Sequence, residues 1–542
     1  MNDPTAPAHP PALPLLPSGI LPPAIAIVRW LEVMKPVTVA LPHLPPLNGS
    51  LPDLLRLGGV EAVTTPILPQ PGFRWEGVGG GRIDAIESDA MAEPDLLHHG
   101  ELPSADPLWA DDQGALALLD LARLEDATGC LGVGSGAAWE QVLAALGAGV
   151  PPRVPPMLRQ ARGEFLGAWN PLPIERDLVV SLGGIGKPWG VRDDQGRAYP
   201  AQVVEGATGE EVLTTLRLGA FQCVTLTPIE EPVADAAWEV EPTVLDNGVV
   251  RAELDSLGQV TRLCWDGVFA ELSGPAVAPR VDGRLLGGTA VVTVQEAGPV
   301  RARLSVRRTA TEGTLLVTYT LHAHEDCLRI TASWTGAGDL SLSHPTAHRG
   351  SRLIAAGEMS RVALHQARSV VTEPMAPLAG VRWAALGDAA GRGLAVVAGR
   401  PLVVEADGGD LRVLGSSGVG YALAAAHRRA GALNLGALAA SLALPGRRYT
   451  GGEPLPAPFR LAQPGGLVPL YARRPAGWSG ELLLADQSGA RGKVLLQPRP
   501  ACREAWRVDA SGEPLAKLSL TKEGDGIELD HGPHDLFIVR WK

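Results

Sequence analysis

The chain has 542 residues, long enough for several domains each with its own core, and its 45% hydrophobic and 20% charged residues describe a globular protein. A net charge of −12 and a pI near 5.5, with no basic patch, argue against a nucleic-acid or anionic-membrane partner. The five cysteines are odd in number and far apart, with no CxxC pair, which fits reduced thiols in a cytoplasm and excludes a cysteine-based zinc site.

The opening MNDPTAPAHPPALPLLPSG has no basic segment and is broken by prolines, so no secretory signal is expected. No run approaches the ~20 uninterrupted apolar residues of a membrane span. Before about residue 164 the pattern is mixed α/β. AIAIVRWLEVM, PVTVALP and GVEAVTTPIL are short apolar runs of buried-strand type. SLPDLLRLG between them predicts a helix with Ser50 as cap and Pro52 in its first turn. GALALLDLARLEDA and AAWEQVLAALGAG then carry apolar residues at helical spacing, and PPRVPP at 151 to 156 is a linker by composition.

Near residue 164 the chain changes character. NPLPIERDLVVSL, VRDDQGRAYPAQVV and EEVLTTLRLGAFQCVTLTP alternate apolar or β-branched residues with polar ones between Gly and Asp turns. The same pattern recurs for more than three hundred residues, which predicts stacked β-sandwiches.

Residues 41 to 55, LPHLPPLNGSLPDLL, with GVEAVTT at 59 to 65 and FRWEGVGGGRI at 73 to 83, resemble the nucleophile region of the zinc-dependent α-mannosidases, glycoside hydrolase family 38. The resemblance returns at Trp169-Asn170-Pro171-Leu172, similar to the opening of the family's first β-domain. It returns again at Leu245-Asp246-Asn247-Gly248, similar to the start of its galactose-mutarotase-like supersandwich, and at 494 to 542, similar to its small terminal β-domain. The fold so implied is multidomain, α/β plus all-β. A truncated α/β domain (1–110, a remnant of a seven-stranded barrel) leads into a helical segment and linker (111–163). A small β-sandwich (164–235), the supersandwich (236–460) and a terminal β-domain (461–542) follow. A barrel lacking strands leaves open edges for helices or another subunit to cover, which makes room for a homo-oligomer or a complex with another mannosidase chain.

The resemblance places His43 where the family has its catalytic aspartate. A retaining glycosidase needs two carboxyl groups roughly 5 to 5.5 Å apart, one to attack the anomeric carbon and one to protonate the leaving oxygen. A neutral imidazole brings no negative charge to an oxocarbenium-like transition state, and its glycosyl adduct is cationic. It is also a zinc ligand, so a retained metal position and a loop histidine without a role both stay open. The family's first zinc ligands come from a His-x-Asp motif ahead of the nucleophile, and the 42 residues before His43 contain none. No metal ligand is therefore assigned and no cofactor expected, with zinc implied only if the family site survives.

Asp84, Glu87, Asp89, Glu93 and Asp95 are unranked candidates for the acid/base. Trp75 and Glu76 are candidates to line a sugar site, and Trp75 is equally a core residue. His98-His99-Gly100-Glu101 lacks the aspartate of the family's second histidine motif. His322, His324 and Asp326 in LHAHEDC are expected at a solvent-facing strand end, with both imidazoles on one face, and His531 and His534 in a terminal turn. The function implied is a mannosidase-like protein that binds a glycan or mannoside, with hydrolysis lost or much reduced. Two alternatives stay open: an active zinc-dependent retaining α-mannosidase with rebuilt or partner-supplied site residues, and a structural subunit of a mannosidase assembly.

Overall fold

In the computed structural model, the residues described are 31, 35–40, 51–65, 74–76, 82–87 and 158–159, and most of 166–542 apart from short internal stretches. His43 and the two helical segments expected at 114–149 lie outside them. The described chain is almost entirely β, with the helices Leu51–Leu57 and Leu435–Ala443. It divides into two compact units, one formed by 1–152, 358–362 and 462–542, the other by 153–357 and 363–461.

The first unit contains a small α/β element. Strands Thr38–Ala40, Ala62–Thr65 and Arg82–Glu87 pair in parallel, and Arg74–Glu76 joins the last of them antiparallel. Helix Leu51–Leu57 connects the first two strands, as a parallel pair requires. Leu51, Leu54 and Leu55 are buried at helical spacing, with Asp53 in the first turn and Arg56 in the last, each placed favourably for the helix dipole. The helix stops at Gly59, whose φ of 83° is left-handed. There Val60 N–H bonds Leu55 C=O and Gly59 N–H bonds Arg56 C=O, both at 3.0 Å, in a Schellman motif.

The same unit holds a five-stranded antiparallel sheet in the order Leu467–Arg473, Gly480–Asp486, Leu536–Trp541, Ala505–Val508, Pro514–Lys517. Gly480–Asp486 and Leu536–Trp541 are buried along their whole length, on both faces. Glu481 and Arg540 stand opposite each other on these two strands and form a buried ion pair. His531 is buried at the end of strand Ile527–His531 rather than lying in a turn, whereas His534 does occupy a turn, with a φ of 58°.

The second unit begins with a seven-stranded sheet system in the order 447–450, 166–169, 223–229, 190–193, 198–206, 209–218, 176–181. Its core is formed by alternate residues such as Leu178, Val180, Val212, Leu216 and Leu226. A five-stranded meander over 239–269 follows, and then a large antiparallel sheet in which Arg301–Thr309, Gly313–His322, Cys327–Gly336 and Gly418–Ala425 are successive neighbours. The four described cysteines, Cys223, Cys264, Cys327 and Cys502, are buried.

Arg308 is an anomaly of this large sheet. It is 2% exposed, and none of its three guanidinium nitrogens has a hydrogen-bond partner among the described residues. Burial pushes its pKa down, with partial relief from Asp255. An unpaired buried charge costs more than an apolar side chain of similar length. Arg308→Met is expected to stabilise the protein by about 1–3 kcal/mol. The check is the calorimetric midpoint, and a lower midpoint in the variant would show that the guanidinium is satisfied in solution.

Candidate functional site

Two asparagines from the sequence motifs hold the walls of one cavity in the second unit. Asn170 is fully buried, and its amide donates to the carbonyls of Ile174 (2.7 Å), Gly219 (2.7 Å) and Leu218 (3.3 Å). Its oxygen accepts from Leu172 N–H at 3.1 Å and Arg176 Nε at 2.9 Å. Asn247 does the same job in the second motif. Its amide donates to the carbonyls of His322 (2.7 Å) and Glu325 (2.9 Å), while its oxygen accepts from Val249 and Val250 N–H. The first asparagine therefore positions Arg176, and the second pins the turn that carries His322 to Asp326.

That turn differs from the expected strand end. Strand Gly313–His322 stops at His322, and His324 sits in the turn with a φ of 61°, so the two imidazoles do not share a strand face. His322 is mostly buried, with its Nδ1 3.3 Å from the carboxylate of Glu325. Arg329 grips the same carboxylate from the other side, Nη2 to Oε1 at 2.6 Å and Nε to Oε2 at 2.9 Å. Burial works to raise the Glu325 pKa, but Arg329 and His322 outweigh it and hold the carboxyl well below the usual range. Burial, reinforced by Arg329, lowers the pKa of His322 and favours its neutral form.

The facing wall comes from strand Arg176–Ser181 and helix Leu435–Ala443, which Asn434 caps by accepting from Ala437 N–H at 2.8 Å. Arg176 is 3% exposed, and its Nη1 donates to the carbonyl (3.0 Å) and hydroxyl (2.8 Å) of Ser441. Its Nη2 is buried with no hydrogen-bond partner among the described residues. Burial, and then the positive charge of Arg329, bring its pKa down to about 9. Next to it, burial raises the pKa of Asp177 against the opposing pull of Arg217. Arg217 bonds Glu175 at 2.9 Å and lies 3.6 Å from Asp177, and it is the most exposed of these groups. The cavity enclosed by these walls has a volume of about 130 Å³.

The nucleophile, acid/base and sugar-site candidates named from the sequence are placed elsewhere or lie outside the described residues. Trp75 and Glu76 lie on strand Arg74–Glu76 in the first unit, opposite Ile83 and Arg82. Asp84 is exposed on strand Arg82–Glu87, and Glu87 ends that strand opposite Thr65. His43, Asp89, Glu93, Asp95 and the His98-His99 pair lie outside the described residues. Of the sequence candidates, the cavity gathers His322, His324 and Asp326. It adds Arg176, Asp177, Glu325 and Arg329, which sequence reading missed. The available signal was a charged Glu175-Arg176-Asp177 cluster opening an apolar strand directly after the Asn-Pro-Leu motif.

Zinc, which the family resemblance implies, finds no donor set here. Among the described residues no group of three His, Cys, Asp or Glu is placed to hold a metal ion. No helix among them is long and apolar enough to cross a membrane.

No protein-family model matches the chain, and no curated protein matches it in sequence. The fold has solved counterparts. A protein of glycosyl hydrolase family 38 from Enterococcus faecalis superposes with a TM-score of 0.67 at 11% identity, over 97% of this chain and 90% of the other. An α-mannosidase from Enterococcus faecalis V583 gives the same score and identity over 98% and 90%. The chain thus has a fold similar to that of glycoside hydrolase family 38 structures, with the β-sandwich architecture found in its second unit.

Proposed function

We propose that this is an α-mannosidase-like protein of cytoplasmic carbohydrate metabolism that binds a glycan or mannoside and has lost most or all hydrolysis. The observation that carries the reading is His43, which stands where the resembling family has its nucleophilic aspartate, in a chain whose fold is similar to that of an α-mannosidase. Loss of the nucleophilic carboxylate by itself removes most of the rate enhancement. In this reading the chain keeps the five-part division given by its motifs. The first part offers Trp75 and Glu76 to a sugar, and a second copy or another mannosidase chain is its partner.

The test is release of nitrophenol from 4-nitrophenyl α-mannoside by the purified chain, with and without added zinc, beside a His43→Asp variant. The expected result is no release by the natural chain above a mock purification. Zinc-dependent release by that chain would overturn the loss of hydrolysis and identify the active alternative.

A further inference from the structure

We propose that the cavity between strand Arg176–Ser181, the turn at 323–326 and helix Leu435–Ala443 is a binding site for an uncharged polyol, the hydroxylated edge of a single sugar ring or a smaller polyhydroxy compound. The inference takes up the carbohydrate-binding part of the proposed function and is independent of its hydrolytic part, because the site lies in the β unit and uses none of the residues of the mannosidase-like loop.

The chemistry of the lining selects the ligand class. Arg329 is matched with Glu325, and Arg217 with Glu175 and Asp177, but Arg176 has no carboxylate partner and keeps a buried donor, Nη2, without an acceptor. A buried guanidinium N–H of this kind is costly unless something accepts from it. A free anion would meet Arg176 but also the carboxylates of Asp177, Glu175 and Asp326, which line the same space. A cation would meet Arg176. A hydroxyl both accepts and donates, so a neutral polyol can meet the cationic and anionic groups of this lining without the repulsion either ion would face. At about 130 Å³ the cavity has room for a few waters, and so for part of one sugar ring or a smaller polyol.

The support behind these groups is that of a built site. Asn170 fixes Nε of Arg176, Ser441 fixes its Nη1, and Asn247 holds both ends of the opposing turn through backbone carbonyls. Side chains so held lose little further freedom when a ligand arrives.

The experiment is saturation-transfer NMR and calorimetric titration of the full chain with methyl α-mannopyranoside, glycerol and, separately, inorganic phosphate. The variants are Asp177→Asn, Ser441→Ala and Trp75→Ala, each checked for an unchanged thermal midpoint. Saturable binding of a neutral polyol is expected, with Kd raised about tenfold in Asp177→Asn by loss of a charged hydrogen bond. Ser441→Ala is expected to weaken binding in the same sense, while Trp75→Ala reports separately on the sugar contact proposed for the first unit. Polyol binding that is lost in Trp75→Ala and intact in both cavity variants would overturn this site while leaving carbohydrate binding in place. Absence of saturable polyol binding would overturn both, and binding of phosphate alone would show the cavity to be an anion site.

Discussion

Asn170→Ala is expected to destabilise the second unit by about 3–5 kcal/mol, visible as a calorimetric midpoint lowered by roughly 5–10 °C. The magnitude follows from what the side chain satisfies. Its amide serves the carbonyls of Ile174, Leu218 and Gly219, and its oxygen serves Leu172 N–H and the buried guanidinium of Arg176. Truncation strands all of these groups in a region without solvent, and one of them is charged. Asn170→Asp separates the two roles. A carboxylate still accepts from Arg176 but donates nothing to three carbonyls and repels them, so the loss is expected to remain at least half that of the alanine variant. Full retention of stability by Asn170→Asp would mean that Arg176, not the carbonyl cluster, is what the motif asparagine is there to hold.

Acid is expected to destabilise the same unit through His344 before the carboxylates respond. This imidazole is completely buried between Val277 N–H, which donates to Nδ1 at 3.2 Å, and the hydroxyl of Tyr421, 3.0 Å from Nε2. Burial lowers its pKa to about 4, against a small opposing pull from Asp410. With an unfolded value near 6.5, the unfolded chain takes up a proton that the folded one refuses. Stability is therefore fully present above pH 6.5 and falls as pH drops toward 4, by about 3 kcal/mol in total. His322, also lowered by burial, acts in the same direction. Glu325, held low, adds its own loss only below about pH 4.5, where the unfolded carboxyl begins to protonate. Thermal midpoints at pH 7.5, 6 and 4.5 for the natural chain and for His344→Gln measure this directly. The variant is expected to flatten the fall between pH 6.5 and 4.5. An unchanged slope would show that the imidazole ionises within the fold.

The motif asparagines show why some of this molecule was legible in its sequence. Asn247 sits in an Asp-Asn-Gly turn, where its oxygen accepts from the N–H groups of Val249 and Val250 and Asp246 accepts from Gly248 at 2.7 Å. Such bonds span two or three residues, so the residue types announce them. The alternation in RDLVVS and the Leu51, Leu54, Leu55 spacing with Gly59 behind are equally local, and they gave strand and helix where the structure has them. His322 and His324 mark the limit. Their spacing of two reads as one strand face, but the strand ends at His322 and the left-handed backbone at His324 redirects the chain.

What the sequence by itself determined is therefore the β-rich class and local elements such as the strand RDLVVS, the helix Leu51–Leu57 and the Asp-Asn-Gly turn, because each depends on residues close along the chain. Only the tertiary structure decided which charged groups meet. Arg176, Arg217, Glu325 and Ser441 are brought around one cavity by long-range strand pairing and by a helix from near residue 440, and the energies that fix their protonation come from burial, which no local pattern encodes.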